Sequence, residues 1–305
     1  MNKRSLAWLW LTLALFGLGL TIARAEVPPI AIGIYMPVLR DVPRKDAEVS
    51  LRFWVEELAQ SIGLSYKPIR FYDDLAEMKR DMDTGVLNFI VASSMGIVEH
   101  FSPDQLSDGF SGYKNTHDNL LLIGRRAANI HTFADLAGKR FSLLDQDELS
   151  DIYLQTLLMK TWRKPDESRF ATIVREKRSG NLVHRLFFDQ ADAALVYRTS
   201  YEAALALNPQ IEQRLQILES YSFKGRSPYI SLFSSKLAPE HREAITAGAM
   251  KLNTSARGHQ VLEIYKSDTM VVSKVQDLEP FRELLATYRV LKAESETPAR
   301  KSARK

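Results

Sequence analysis

Four carboxylates, Asp145, Asp147, Glu148 and Asp151, fall within seven residues around Ser150, where the apolar run "RFSLLD" gives way to an amphipathic stretch from Glu148 to Thr161. That order reads as a buried strand, a loop and a helix. A strand-to-helix loop commonly holds an anion, because the free N–H groups of the first helical turn point outward. Acids at this place oppose an anion and favour the positive end of the helix dipole instead. Two readings stand: a loop that contacts a ligand through Asp145, Asp147 and Ser150, or a helix cap made by Asp145 with Glu148.

Other residues with usable chemistry end other strands. Tyr35 closes "IAIGIY", where an aromatic either lines a pocket or packs as a wall of the core. Ser93 and Ser94 close "NFIVASS", where short hydroxyls hold a ligand or shape a turn. Tyr197 and Arg198 close "DAALVYR". Arg198 is a cation suited to a carboxylate or phosphoryl group, or to a surface salt bridge.

Several chemistries are excluded. The chain has no cysteine, which removes thiol catalysis and Cys-type zinc sites together. Its six histidines show no H-E-x-x-H or comparable spacing. No G-x-S-x-G, P-loop or paired acid/base motif stands in a fitting context. No enzymatic activity, metal or cofactor is therefore expected.

The elements that must position these residues begin after a leader. Lys3 and Arg4, an apolar run from Leu6 to Ala23, and Ala23-Arg24-Ala25 form a secretory signal expected to be cleaved after Ala25, so that the chain is exported. An uncleaved anchor is the alternative, since the run is just long enough to span a bilayer. Losing Lys3, Arg4 and Arg24 and no acid lowers the formal charge from +4 to +1. A polyanionic partner such as nucleic acid is accordingly not expected. The tail from Lys292, "KAESETPARKSARK", lacks most apolar residues and is expected to be disordered and solubilising.

Between leader and tail, strand and helix alternate. "PPIAIGIYMP", a helix from Ala47 to Ile62, "LSYKPIRFY", the helical "DDLAEMKRDMDTG" and "VLNFIVASS" form one series, with Pro68 arguing for an edge strand. "NLLLIGRRA" is a further strand. From Arg140 the rhythm restarts: strand "RFSLLD", helix from Glu148, strand "RFATIVRE", helix Asn181 to Phe188, strand "DAALVYR" and helix Ser200 to Leu207. Such alternation indicates βαβ units and parallel sheets. A strand "PYISLFSS" and three later helices then need a home. The economical solution returns the chain to the first lobe near Pro228, so that residues 26–119 and 228–291 form lobe 1, residues 120–227 form lobe 2, and 292–305 form the tail. A cleft between two such lobes is a natural ligand site.

A leader followed by "IAIGIYMP", "GVLNFIVASS", "HDNLLLIGR", "FADLAGKRFSLLDQDELSDIYL" and "ADAALVYRTSYE" resembles periplasmic solute-binding proteins of the phosphate/phosphite/phosphonate type. The resemblance runs to about Leu291, and its most specific part is Asp135-Leu136-Ala137-Gly138-Lys139-Arg140, a D-L-x-G-K-R lead-in to the second lobe. It implies an α/β, two-lobed periplasmic-binding-protein-like fold, each lobe a mostly parallel sheet flanked by helices. It also implies capture of a small-molecule solute by hinge closure and delivery to an inner-membrane ABC permease, by a chain expected to be a monomer. A ligand-sensing or partner-binding module for a membrane receptor or kinase is the alternative.

In that family the helix after the lead-in opens with a turn of the form D-P-x-S-T-S-G that holds the phosphonate. The corresponding residues here are Asp145 to Asp151, of which only Asp145 and Ser150 match. Glu148 and Leu149 replace two hydroxyl residues, and Asp151 replaces the glycine. The ligand expected is thus phosphonate-like or, given these acids, cationic, zwitterionic or neutral. His117 and Asn119 stand at positions resembling the family's Tyr and Ser, and Asn88 stands where the family has Asp, in a structural role.

Overall fold

In a computed structural model the protein is described over residues 29–62, 65–113, 119–264 and 267–296. The expected leader, His117 and residues 297–305 lie outside these. The chain runs β1 (Ile32–Tyr35), α1 (Arg44–Ile62), β2 (Arg70–Tyr72), α2 (Leu75–Asp83), β3 (Phe89–Ser93), α3 (Ser94–His100), β4 (Leu106–Ser107) and β5 (Gly109–Tyr113). A second series follows: β6 (Asn119–Arg125), β7 (Arg140–Leu144), α4 (Glu148–Trp162), β8 (Thr172–Glu176), α5 (Ser179–Phe187), β9 (Ala193–Tyr197), α6 (Arg198–Leu207), α7 (Gln210–Arg214) and β10 (Leu215–Ser222). The last part comprises β11 (Tyr229–Ser234), α8 (Pro239–Met250), α9 (Ala256–Ile264), β12 (Thr269–Ser273) and α10 (Glu279–Glu296).

These strands make two five-stranded sheets, ordered β2-β1-β3-β11-β4 and β10-β6-β9-β7-β8, and a two-stranded ribbon of β5 with β12. In each large sheet four strands point one way. The exceptions are β11, antiparallel to β3 and β4, and β6, antiparallel to β9 and β10. The parallel strands are those joined by helical crossovers, as parallel pairing requires. The ends of β1 and β3 in the first sheet, and of β7 and β9 in the second, lead into the site.

Burial explains the strand sequences. Leu120, Leu121, Leu122 and Ile123 of β6 are completely buried, so this central strand is covered on both faces and reads as a continuous apolar run. In the first body Phe89 lies 4.8 Å from both Phe110 and Phe233, ring centre to ring centre. β2 starts after Pro68 and forms the sheet edge, where a residue without an N–H is tolerated.

The C-terminal helix departs from the expected layout. Phe281, Leu284 and Leu285 of α10 join the core of the second sheet together with Met95 of α3, so α10 packs against helices of both bodies. The cause lies in α4, which buries residues nearly all round its axis and needs cover on the side away from its sheet. α10 also continues to Glu296, so residues 292–296 are helical and not part of a disordered tail. They are good helix formers with no breaker before Pro298, and the Lys292 ammonium sits 5.9 Å from the Tyr288 ring centre.

Candidate functional site: a carboxylate cluster between two sheets

The loop from β7 to α4 supplies the centre. Gln146 adopts a left-handed backbone with φ 49°, turning the chain sharply before the helix. Asp147 then caps α4, accepting bonds from the Ser150 N–H at 3.1 Å and from the Ser150 hydroxyl. The Tyr197 hydroxyl, at the end of β9, donates to Asp147 with both carboxylate oxygens at 3.1 Å. Asp147, Ser150 and Tyr197 are all buried. The cap therefore belongs to Asp147, where the sequence pointed to Asp145 with Glu148.

Glu148, one residue on, reaches into the first body. Its carboxylate accepts the Tyr35 hydroxyl at 2.6 Å and the Ser93 hydroxyl at 2.8 Å. The two donors end the adjacent parallel strands β1 and β3, which is why they converge. Ser93 also accepts the Gly96 N–H at 3.1 Å and so caps α3. A Cβ on Gly96 would stand 2.6 Å from the Ser93 oxygen and 2.3 Å from Leu75, so a larger residue would have to displace the cap hydroxyl or the Leu75 side chain. Burial, then the bond and charge of Glu148, push the Tyr35 phenol far above its ordinary value, so it stays a donor. Burial and the Asp147 charge do the same to Tyr197.

Arg40, which the sequence reading did not single out, supplies the cation. It follows a 3-10 turn, Met36–Leu39, that leaves β1, and its own Nε bonds Pro37 O at 2.9 Å. Its guanidinium donates to Asp145 O at 2.7 Å, to Gln146 O at 3.0 Å and to Asp147 Oδ1 at 3.3 Å. Burial works against its charge, but Asp147, with Tyr229, Tyr197 and Glu148, more than offsets this and holds its pKa above the ordinary value. Asp41 crosses as well, accepting the Ser179 N–H at 3.0 Å and the Ser179 hydroxyl at the start of α5.

The remaining sequence candidates divide. Asp145 is half-buried and enters through its carbonyl oxygen. Ser94 turns to the return crossing, with its hydroxyl and N–H each 2.8 Å from the carbonyls of Ser227 and Pro228. Arg198 pairs with Glu202 on its own helix at 3.6 Å, the salt bridge that was one of its two readings, and the cation beside the acids is Arg40. Asp151 pairs with Arg175. Asn119 begins β6, half-buried. Asn88 ties Ala31 N and Pro29 O, at 2.8 and 3.0 Å, in a structural role. Among the described residues no cluster of His, Cys, Asp or Glu is arranged to hold a metal ion, and no helix is long and apolar enough to cross a membrane.

Two mixed sheets flanked by helices, with polar strand ends meeting between them, define a two-lobed binding-protein fold. The same fold occurs in a binding protein component of an ABC phosphonate transporter from Pseudomonas aeruginosa, at TM-score 0.66 and 14% identity over 90% of each chain. It occurs also in PhnD1 from Prochlorococcus marinus in complex with methylphosphonate, at TM-score 0.63 and 10% identity over 86% of this chain and 98% of that one. The aliphatic sulphonate binding protein of Escherichia coli is more distant, at TM-score 0.51 and 12% identity over 89% and 94%. No curated protein matches the chain by sequence. Residues 42–278 match the family of periplasmic substrate-binding proteins of phosphonate ABC transporters, and the chain belongs to that family.

Proposed function

We propose that this chain, exported and cleaved after Ala25, works as a monomer that captures a small polar solute between its lobes and presents the closed form to an inner-membrane ABC permease. It is a binding protein and not an enzyme. The observation that carries this reading is the convergence of Tyr35 and Ser93 from one sheet with Asp147, Glu148, Ser150 and Tyr197 from the other. Family membership over residues 42–278 supports it. Closure of two bodies around strand ends gives such proteins both selectivity and a shape for the permease to read.

A second reading, a sensing or partner-binding module for a membrane receptor or kinase, draws support from the bonds that the chain's own side chains make across the cleft. A thermal-shift screen of the mature protein against anions, amines and amino acids separates the two. Capture of a solute predicts a stabilising compound, with the shift lost in Asp147→Ala/Ser150→Ala. A screen with no stabilising compound would favour the partner-binding reading.

A further inference from the structure

We infer that Glu148 is a resident anion: its carboxylate occupies the hydroxyl donors that an oxyanion would need and so sets the solute class as one without a phosphonate-type dianion. The inference rests on the binding-protein reading and narrows it.

The geometry is that of a bound oxyanion. Two oxygens of one planar group are shared between hydroxyls on neighbouring strands, at 2.6 and 2.8 Å. The group comes from the first turn of α4, in the other body, so it enters the first body as a ligand would. Its carboxyl carbon lies against the α3 backbone, 3.5 Å from where a Cβ of Gly96 would stand. The Ser93 oxygen is already engaged twice, donating to Glu148 and accepting from Gly96 N–H.

Charge points the same way. Arg40 is spent on Asp147 and three carbonyl oxygens, and Arg175 on Asp151 and Glu167. Neither bonds Glu148 directly. A second anion about 4 Å from this carboxylate, at the effective dielectric near a protein surface, would bind about a thousandfold more weakly for each unit of its charge. A serine at the same helical position would remove the carboxylate, release Tyr35 and Ser93, and add a third hydroxyl.

Calorimetry with methylphosphonate tests this on the mature protein. Wild type is expected to show no binding tighter than about 1 mM, and Glu148→Ser a gain of at least about a hundredfold. Glu148→Gln keeps the shape and removes the charge, and is expected to gain at least about a hundredfold from the charge alone. It serves also if the serine variant does not fold, as judged by circular dichroism. Submicromolar binding by wild type would overturn the inference and leave the function standing. So would folded variants that gain nothing. Gain in the variants, beside a wild type that takes no solute from the screen above, would sink the transport reading and leave this inference intact.

Discussion

Arg40 keeps a full charge with 8% of its side chain exposed, against Asp147 with 2%. Removing one member of such a pair leaves the other buried and uncompensated, which costs more than the pair itself contributes. Arg40→Ala is therefore expected to lower the unfolding free energy by about 3 kcal/mol in urea denaturation. Adding Asp147→Asn should cost less than the two single losses combined, because the amide keeps Ser150 and Tyr197 as partners without a stranded charge. Strict additivity would show that the two are not coupled. The site was half legible in the sequence. Tyr35, Ser93 and Tyr197 announced themselves as polar groups at strand ends, and Asp147 and Ser150 as polar groups at a helix start, and the structure brings these together. Arg40 did not, because in "VLRDVPRKD" it is one of several charges in a loop. Its position just beyond a buried strand was the available signal. The partner of Glu148 was equally hidden, since a bond spanning 113 residues leaves no local pattern.

The N-terminal half of α4 faces α3 and α10, and the charges there couple the three helices. Glu99 on α3 is pushed up to about 7, first by burial and then by the negative charges of Glu148 and Asp151, against the pull of Arg289 on α10. A carboxyl with a folded value above its unfolded 4.5 binds its proton first in the folded chain. Stability contributed by this group thus rises as pH falls from about 7 toward 4.5, and is lost as pH rises through that window. The Glu99 side chain is exposed along much of its length, so screening keeps the effect small. Melting temperature should rise slightly between pH 8 and pH 5.5 in wild type, and Glu99→Gln should flatten that slope. An unchanged slope in the variant would assign the pH dependence to another group. Elements with long apolar runs, such as α4, β6 and β9, could be read from the sequence because they are buried on both faces or nearly all round. β10 could not. It lies at a sheet edge with only Leu215 fully buried in "LQILESYS", and β5 with β12 forms a ribbon that pairs residues 109–113 with residues 269–273. Such strands exist through tertiary pairing more than through their own pattern.

The two bodies are held together by residues that lie side by side in sequence. Arg40 grips the β7–α4 loop and Asp41 caps α5, so a single short segment after β1 anchors two helix starts of the opposite body. Glu148 returns the contact from the other side, to Tyr35 and Ser93. Hydrogen bonds to charged groups contribute about 1.5–3 kcal/mol each net, so two or three such ties outweigh an open arrangement by roughly a hundredfold or more. Solute would then act on a small open population, and its apparent affinity would be reduced by that fraction. Small-angle scattering from the mature protein, with no solute added, is expected to match the closed arrangement. Arg40→Ala/Asp41→Ala, which removes the ties of the β1 loop and leaves both sheets intact, is expected to show a larger radius of gyration. Faster amide exchange at the first turn of α5, where Asp41 supplies the cap, should accompany it. A wild type as expanded as the variant would mean that these bonds do not hold the lobes. A variant as compact as the wild type would place the closing energy elsewhere, with α10 and its apolar contacts to both bodies as the next element to cut.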